Sequence, residues 1–162
     1  SGPSDVSPSG ARLIGYYDAL KEAGIPIRKE FIFAGDFQFQ SGERMMAKIL
    51  DLKDRPTAIF ICNDMMAIGA IKQAQASNIH IPEDLSVVGF DDIQFVSTIS
   101  PALTTIAQPI RELALTAISL LLKKIQNGHE SHIGEKIVLE PSLVARDSCR
   151  HLNDGDKIIL HE

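Results

Sequence analysis

Polar and aromatic side chains follow each of four short apolar runs in this sequence, and one arginine belongs with them. The candidates are Arg12, Phe37, Asn63, Asp91 with its neighbour Asp92, and Gln108. They supply one guanidinium group, one or two carboxylates, two amides and one aromatic ring. Charged groups of both signs make charge-assisted hydrogen bonds to pairs of hydroxyl groups, amides both donate and accept, and an aromatic face covers the apolar C–H face of a sugar ring. The set therefore favours the binding of a sugar.

Each candidate also has a structural interpretation that competes with binding. Asp92 could cap or turn its loop, and Asn63 could satisfy a turn. Phe37 suits the core as well as a ligand, and Arg12 alone would be a surface charge. Asp64, beside Asn63, is predicted to be the N-cap of a helix rather than a ligand contact. The binding interpretation depends on convergence of the whole set at one place.

The elements that must position these residues alternate between helices and strands. Apolar residues at helical spacing predict amphipathic helices, and continuous apolar runs predict strands buried on both faces of a parallel sheet. The predicted helices are Ser9–Ala23, Ser41–Leu52, Asp64–Ser77 and Pro109–Gln126. The predicted strands are Glu30–Ala34, Thr57–Cys62, Leu85–Phe90, Leu103–Ala107, Lys136–Leu139 and Ser142–Ala145. This alternation predicts an α/β fold with a parallel sheet.

Ligands of open parallel α/β sheets bind outside the carboxyl ends of the strands. The candidates that follow predicted strands therefore meet at one edge of the sheet. Arg12 falls in the first turn of the first predicted helix, which lies at the same edge. The sequence thus predicts one ligand site there.

Composition narrows the class of protein. The 162 residues carry a net charge of −5, which disfavours contact with phosphate backbones. Cys62 and Cys149 lack the spacing of a disulfide framework or a zinc site. Hydrolase, P-loop and dinucleotide-binding motifs are absent, so no catalytic residue, metal or cofactor is predicted. His129 and His132 lie in a predicted solvated loop, and no bilayer-spanning stretch or signal peptide is found.

Four stretches of the chain carry a family resemblance. Phe60–Ala70 (FICNDMMAIGA), Ile81–Asp92 (IPEDLSVVGFDD) and Pro101–Pro109 (PALTTIAQP) occur in this order, and Arg12–Tyr16 (RLIGY) precedes them. They resemble motifs of the lactose/galactose repressor family of bacterial transcription regulators, and the match extends to about Arg150. The resemblance implies the periplasmic-binding-protein-like type I fold, in which two α/β subdomains enclose an effector cleft.

The resemblance also implies a role for particular residues. Arg12, Phe37, Asn63, Asp91 and Gln108 fall on effector-contacting positions of the family, and Asp91 matches the first Asp of its motif. Asp91 is therefore preferred to Asp92 as the ligand contact.

The domain organisation that the resemblance implies is incomplete. Residues 1–106 match the C-terminal effector-binding subdomain without its first helix and strand, and residues 107–140 match a crossover helix and strand of the N-terminal subdomain. Residues 141–162 would form a return strand and a tail. The family's DNA-binding domain has no counterpart in this sequence. We therefore expect operator DNA to be bound through a preceding domain.

The implied function is that of the sensor of a cytoplasmic, sugar-responsive repressor. Ribose or another pentose or nucleoside is favoured over other sugars, although the arginine and the aromatic residue also occur in a purine-responsive branch. A periplasmic sugar-binding protein of the same fold is the main alternative, and an enzyme is disfavoured.

The predicted helix at Asp64–Ser77 is apolar all round for two turns. Such a helix is buried on more than one side, either within its own chain or against a second subunit. The family uses this helix in dimers, which favours a homodimer interface at Met65, Ile68 and Ile71. A symmetric dimer suits a palindromic operator.

Overall fold

The structure is a computed structural model that describes residue 2, residues 7–126 and residues 136–151. In this part of the chain, the helices and strands follow the predicted order, apart from two predicted strands that do not form. The helices are α1 (Ser7–Glu22), α2 (Phe39–Leu50), α3 (Asp64–Ala76) and α4 (Ile110–Gln126), and the strands are β1 (Ala58–Phe60), β2 (Ser86–Asp91), β3 (Thr104–Ala107) and β4 (Ser142–Val144). Short 3₁₀ turns occupy Lys29–Phe31 and Gln94–Ser97. The predicted α/β fold is confirmed.

The four strands form one sheet in the order β1-β2-β3-β4. β1, β2 and β3 are parallel, and β4 runs antiparallel to β3. Asp91 at the end of β2 lies opposite Ala107 at the end of β3, so Gln108 is the next residue beyond this pair. The register therefore brings the residues that follow β2 and β3 to the same edge.

The core lies between the sheet and the α2–α3 pair. Met46 of α2, Ile71 of α3 and Val87 of β2 are buried there with Leu103. The two helices pack at backbone distance, since a Cβ atom on Gly69 would lie 2.1 Å from the carbonyl oxygen of Phe39. This packing accounts for the apolar circumference of α3, because one side covers the sheet and another covers α2.

The prediction of a strand at Glu30–Ala34 is wrong. Residues 29–31 form a 3₁₀ turn, Ile32 after it is extended, and none of residues 32–34 belongs to a sheet. A strand needs a neighbour to complete its backbone hydrogen bonds. Within the described residues, β1 is an outer strand that pairs with β2 alone, and no strand lies between it and this segment.

The prediction of a strand at Lys136–Leu139 is also wrong. These residues form no ladder, and β4 begins only at Ser142. Ile137 and Val138 are 45% and 73% exposed, so neither sheet pairing nor apolar packing holds the segment within the described part of the chain. Among the described residues, no helix combines the length and the hydropathy that a bilayer crossing requires.

Candidate ligand-binding site

Asp91 is the centre of a polar cluster at the carboxyl edge of the sheet. Its Oδ1 atom accepts a hydrogen bond from Nε2 of Gln108 at 2.7 Å and lies 3.6 Å from Nη2 of Arg12. The Arg12 and Asp91 side chains are 15% and 30% exposed, so both are partly desolvated but open to a ligand. Three of the five predicted residues therefore share one contact network.

Arg12 is held in place by more than its ion pair. Its guanidinium carbon lies 3.8 Å from the centroid of the Phe90 ring, and Nη1 donates to the carbonyl oxygen of Cys62. Because α1 begins at Ser7, Arg12 lies in the second turn of the helix rather than the first. A guanidinium group fixed by stacking and a carbonyl presents its remaining donors in one direction.

Asn63 and Phe37 form the other end of the cluster. The Nδ2 atom of Asn63 donates to the carbonyl oxygen of Phe37 at 2.9 Å, and Oδ1 accepts from the backbone N–H of Met66 at 3.1 Å. Phe37 adopts a φ of 65°, which few side chains tolerate, and the residue is half-buried. Asn63 therefore supports this strained turn, and it adjoins Cys62, the residue that Arg12 contacts.

Asn63, and not Asp64, is the N-cap of α3. The prediction for Asp64 is wrong because the helix already includes Asp64 as its first residue. Asp64 is instead 0% exposed, and its carboxylate accepts hydrogen bonds from Thr105 and from the backbone of Ile93. Burial raises the pKa of this carboxyl, and the charge of Asp91 raises it further, while the hydrogen bonds act against this rise.

Asp92 has a partner that separates it from Asp91. Its Oδ1 atom lies 2.7 Å from Nη2 of Arg146, and Nη1 of the same arginine donates to the carbonyl oxygen of Leu103. Asp91 and Asp92 have φ values of 115° and 55°, so consecutive residues occupy unfavourable conformations and direct their carboxylates to different partners. Sequence reasoning missed Arg146, because nothing in its local sequence marks it.

The cluster can bind a small molecule rich in hydroxyl groups. A carboxylate, a guanidinium and an amide within contact of one another can each exchange an internal hydrogen bond for one to a ligand. The Phe90 ring lies beside the cluster, with the Arg12 guanidinium over one of its faces. Among the described residues, no cluster of three or more histidine, cysteine or acidic side chains could hold a metal ion. His129 and His132 lie outside the described residues.

The helix expected to form a dimer interface divides into exposed and buried positions. Met65 is 42% exposed and Ile68 is half-buried against the core. Ile71, in contrast, is 3% exposed and packs inside its own chain. Ile71 therefore offers no surface to a second subunit, because the side of α3 that carries it is already covered.

Residues 1–149 match the family model of the periplasmic binding protein-like domain. The chain belongs to this family. Its sequence is 44% identical over 147 residues to the HTH-type transcriptional repressor PurR of Photorhabdus laumondii, and the match covers 91% of the chain and 42% of that protein. The resemblance to the lactose/galactose repressor family is thus confirmed, and the chain spans less than half of this relative.

Two solved structures share the fold over most of the chain. The transcriptional regulator CelR in complex with cellobiose has a TM-score of 0.85 and 32% identity, covering 91% of this chain and 45% of that one. A LacI family transcriptional regulator from Enterococcus faecium with bound ribose has a TM-score of 0.81 and 33% identity, covering 94% of this chain and 56% of that one. Both of these proteins are transcription regulators with a sugar bound.

Proposed function

We propose that this chain is the effector-binding part of a cytoplasmic transcriptional repressor that responds to ribose, another pentose or a nucleoside. The observation that carries the proposal is the network of Arg12, Asp91 and Gln108 at the carboxyl edge of the sheet. A family relative named as a repressor and a related regulator with bound ribose support it. They favour this function over transport by a periplasmic binding protein.

The ligand contacts proposed are Arg12, Phe37, Asn63, Asp91 and Gln108. In this proposal Asp91 and Arg12 hold adjacent hydroxyl groups, and Gln108 turns its amide from Asp91 to the ligand. Asn63 acts mainly through Phe37, because its Oδ1 atom and one Nδ2 hydrogen are already used within the chain.

The rest of the cleft would come from a second subdomain. α4 has no buried residue, and its apolar stripe faces away from the sheet core. An open cavity of about 720 Å³ lies between α4, Gln108 and Ile137. These features support assigning residues 107–140 to that second subdomain. We propose residues 1–106 as the C-terminal subdomain and residues 141–162 as the return strand and tail; residues 127–135 and 152–162 lie outside the described part of the chain.

β1 has a strand partner on one side only among the described residues, and we infer that a further strand of the C-terminal subdomain pairs with its outer edge. A largely apolar cavity of about 130 Å³ lies between β1 and residues 31–33, and Leu13, Met45 and Ile49 also line it. A strand seated there would pair with the outer edge of β1. We propose that another part of the same polypeptide supplies it.

Control of DNA binding would be allosteric. An effector between two subdomains favours one closure angle, and it acts only through its different affinity for the two arrangements. Operator contacts would belong to another domain, since the net charge of −5 disfavours DNA binding here.

A homodimer interface is proposed at Met65 and Ile68 of α3. The 42% exposure of Met65 leaves apolar surface beside the half-buried Ile68. Met65→Asp should shift a dimer towards monomer in sedimentation velocity, whereas Gln40→Asp, at an exposed position of α2, is the charge control. An unchanged dimer in Met65→Asp would contradict the interface.

The ligand assignment is tested by calorimetry on the longest polypeptide that the gene encodes, with ribose, adenosine, hypoxanthine and cellobiose as probes. We expect ribose or adenosine to bind, and Asp91→Asn to weaken that binding at least about tenfold, because a charge-assisted hydrogen bond is lost. Asp84→Asn, an exposed carboxylate in a turn, is the matched control. Equal affinity of Asp91→Asn and the unaltered protein would refute the assignment.

A further inference from the structure

Asp64 places a carboxyl group in the buried interior, where loss of solvation disfavours its charged form. Among the described residues it carries the only ionisable side chain in the fully buried set, with 0% exposure. Helix capping does not explain the charge, because Asn63 performs that role. A buried carboxylate is retained only where its hydrogen bonds compensate for the lost solvation.

The two oxygens of Asp64 join two different elements to the start of α3. Oδ1 accepts from the hydroxyl of Thr105 at 2.6 Å, and Oδ2 accepts from the backbone N–H of Ile93 at 2.9 Å. β2 leaves room for this carboxylate, since a Cβ atom on Gly89 would lie 2.3 Å from Oδ1. The carboxylate is thus a bridge between β3 and the segment after β2.

The joined segments are those that carry the ligand contacts. Ile93 directly follows the turn in which Asp91 and Asp92 have φ values of 115° and 55°. Such conformations persist only where surrounding contacts enforce them. Thr105 lies three residues before Gln108, whose amide meets Asp91 at 2.7 Å.

We propose that Asp64 is a positioning residue of the ligand site. Its carboxylate holds the Asp91–Asp92 turn and β3 at a fixed separation, which sets the direction of Asp91 and its distance from Gln108. This role rests on the proposed function of the site and adds a residue that touches no ligand.

Four variants separate positioning from general stability. Asp64→Ala and Thr105→Val each break the bridge, whereas Asp64→Asn and Thr105→Ser keep it, because an amide accepts from Ile93 and donates to the threonine hydroxyl. Asp84→Ala is the control, since Asp84 also accepts a backbone hydrogen bond, from His80 at 2.8 Å. Calorimetry with ribose and adenosine, melting temperature and hydrogen exchange of residues 91–95 are measured for each.

We expect Asp64→Ala and Thr105→Val to weaken ribose or adenosine binding by about tenfold or more. Asp64→Asn, Thr105→Ser and Asp84→Ala should stay within about threefold of the unaltered protein. Exchange of residues 91–95 should accelerate selectively in Asp64→Ala, which removes the acceptor of the Ile93 N–H. If Asp64→Ala does not fold, Thr105→Val and Thr105→Ser decide the result.

Unchanged affinity in a folded Thr105→Val would overturn the positioning role, as would an affinity loss matched in Asp84→Ala. Failure of the unaltered protein to bind either probe would count against the proposed function instead. In that case hydrogen exchange tests the role of Asp64. Selective acceleration at residues 91–95 in Asp64→Ala supports the bridge, and the absence of such acceleration overturns it.

Discussion

α3 and α4 are both rich in apolar residues, yet they differ in how far these residues are buried. α3 buries seven of its 13 residues between the sheet and α2, whereas α4 buries none of its 17. Seven large apolar side chains of α4, among them Ile118, are each at least 50% exposed. Two helices of similar apolar composition therefore differ in burial: α3 is packed into the core, whereas the apolar side chains of α4 stay exposed.

The difference shows which part of the molecule the chain completes by itself. α3, β2 and β3 form a closed unit in which the buried polar groups Asp64 and Thr105 satisfy each other. α4 begins two residues after Gln108, and its apolar side chains have no cover among the described residues. The site lies at the border between these two regions, which suits a ligand held between two bodies.

The largest effect is expected for Gly69→Leu in α3. A side chain there must displace the backbone of Phe39, so we expect loss of cooperative folding in urea followed by circular dichroism. Gly15→Ala in α1 is the control, because a Cβ atom there would meet no atom within 4 Å beyond its own helix backbone. Gly15→Ala should be neutral or stabilise by up to about 1 kcal/mol. A stable Gly69→Leu would contradict the close packing of α2 and α3.

A matched pair compares the two helices directly. Ile71→Ala should lower the free energy of unfolding by about 2–5 kcal/mol, since Ile71 is 3% exposed. Ile118→Ala, at a position that is 55% exposed, should cost less than about 1 kcal/mol. Urea denaturation of this 162-residue chain measures both. Equal losses would show that α4 packs within the chain and would remove the contrast.

The smallest expected effect is on the pH dependence of the unfolding free energy, through Asp64 at the buried start of α3. Burial raises the pKa of Asp64 above its ordinary value of 3.8, so its ionised form disfavours folding. The stability that its protonation provides is complete below pH 3.8 and is lost as pH rises through the raised folded-state pKa. Asp64→Asn should therefore remove the gain in stability that the unaltered chain shows as pH falls from neutrality towards 3.8.

Asp84 is the control for this pH dependence. The backbone hydrogen bond from His80 lowers the pKa of Asp84, so its contribution is present above pH 3.8 and is lost only at lower pH. Asp84→Asn should leave the slope over the same pH range unchanged. Parallel slopes for the unaltered chain and Asp64→Asn would contradict the raised pKa.

Prediction from sequence succeeded where local patterns carry the information. The periodicity of α1 to α4 and the apolar runs of β1, β2 and β3 lie within a few residues of their predicted bounds. It failed for Glu30–Ala34 and Lys136–Leu139, whose apolar composition resembles that of a strand. A strand exists only with a paired neighbour, and neither segment has one in the described part of the chain.

The candidate site divides in the same way. The rule that ligands bind at strand carboxyl ends selected Asp91 and Gln108 from sequence, and the register of β2 and β3 brings them into contact. Arg146 and Asp64 could not be selected, because their partners lie 54 and 29 residues away in the chain. Only the fold makes such pairs.

The sequence by itself determined the order of the helices and of β1 to β4 and the family, and it selected the edge proposed for the ligand, since periodicity and motifs are local properties. The tertiary structure decided which apolar helix is covered, which carboxylate of Asp91 and Asp92 faces Arg12, and why Asp64 is buried. These outcomes depend on contacts between distant segments, and the energy of a buried charge or an exposed stripe is defined only once those contacts exist.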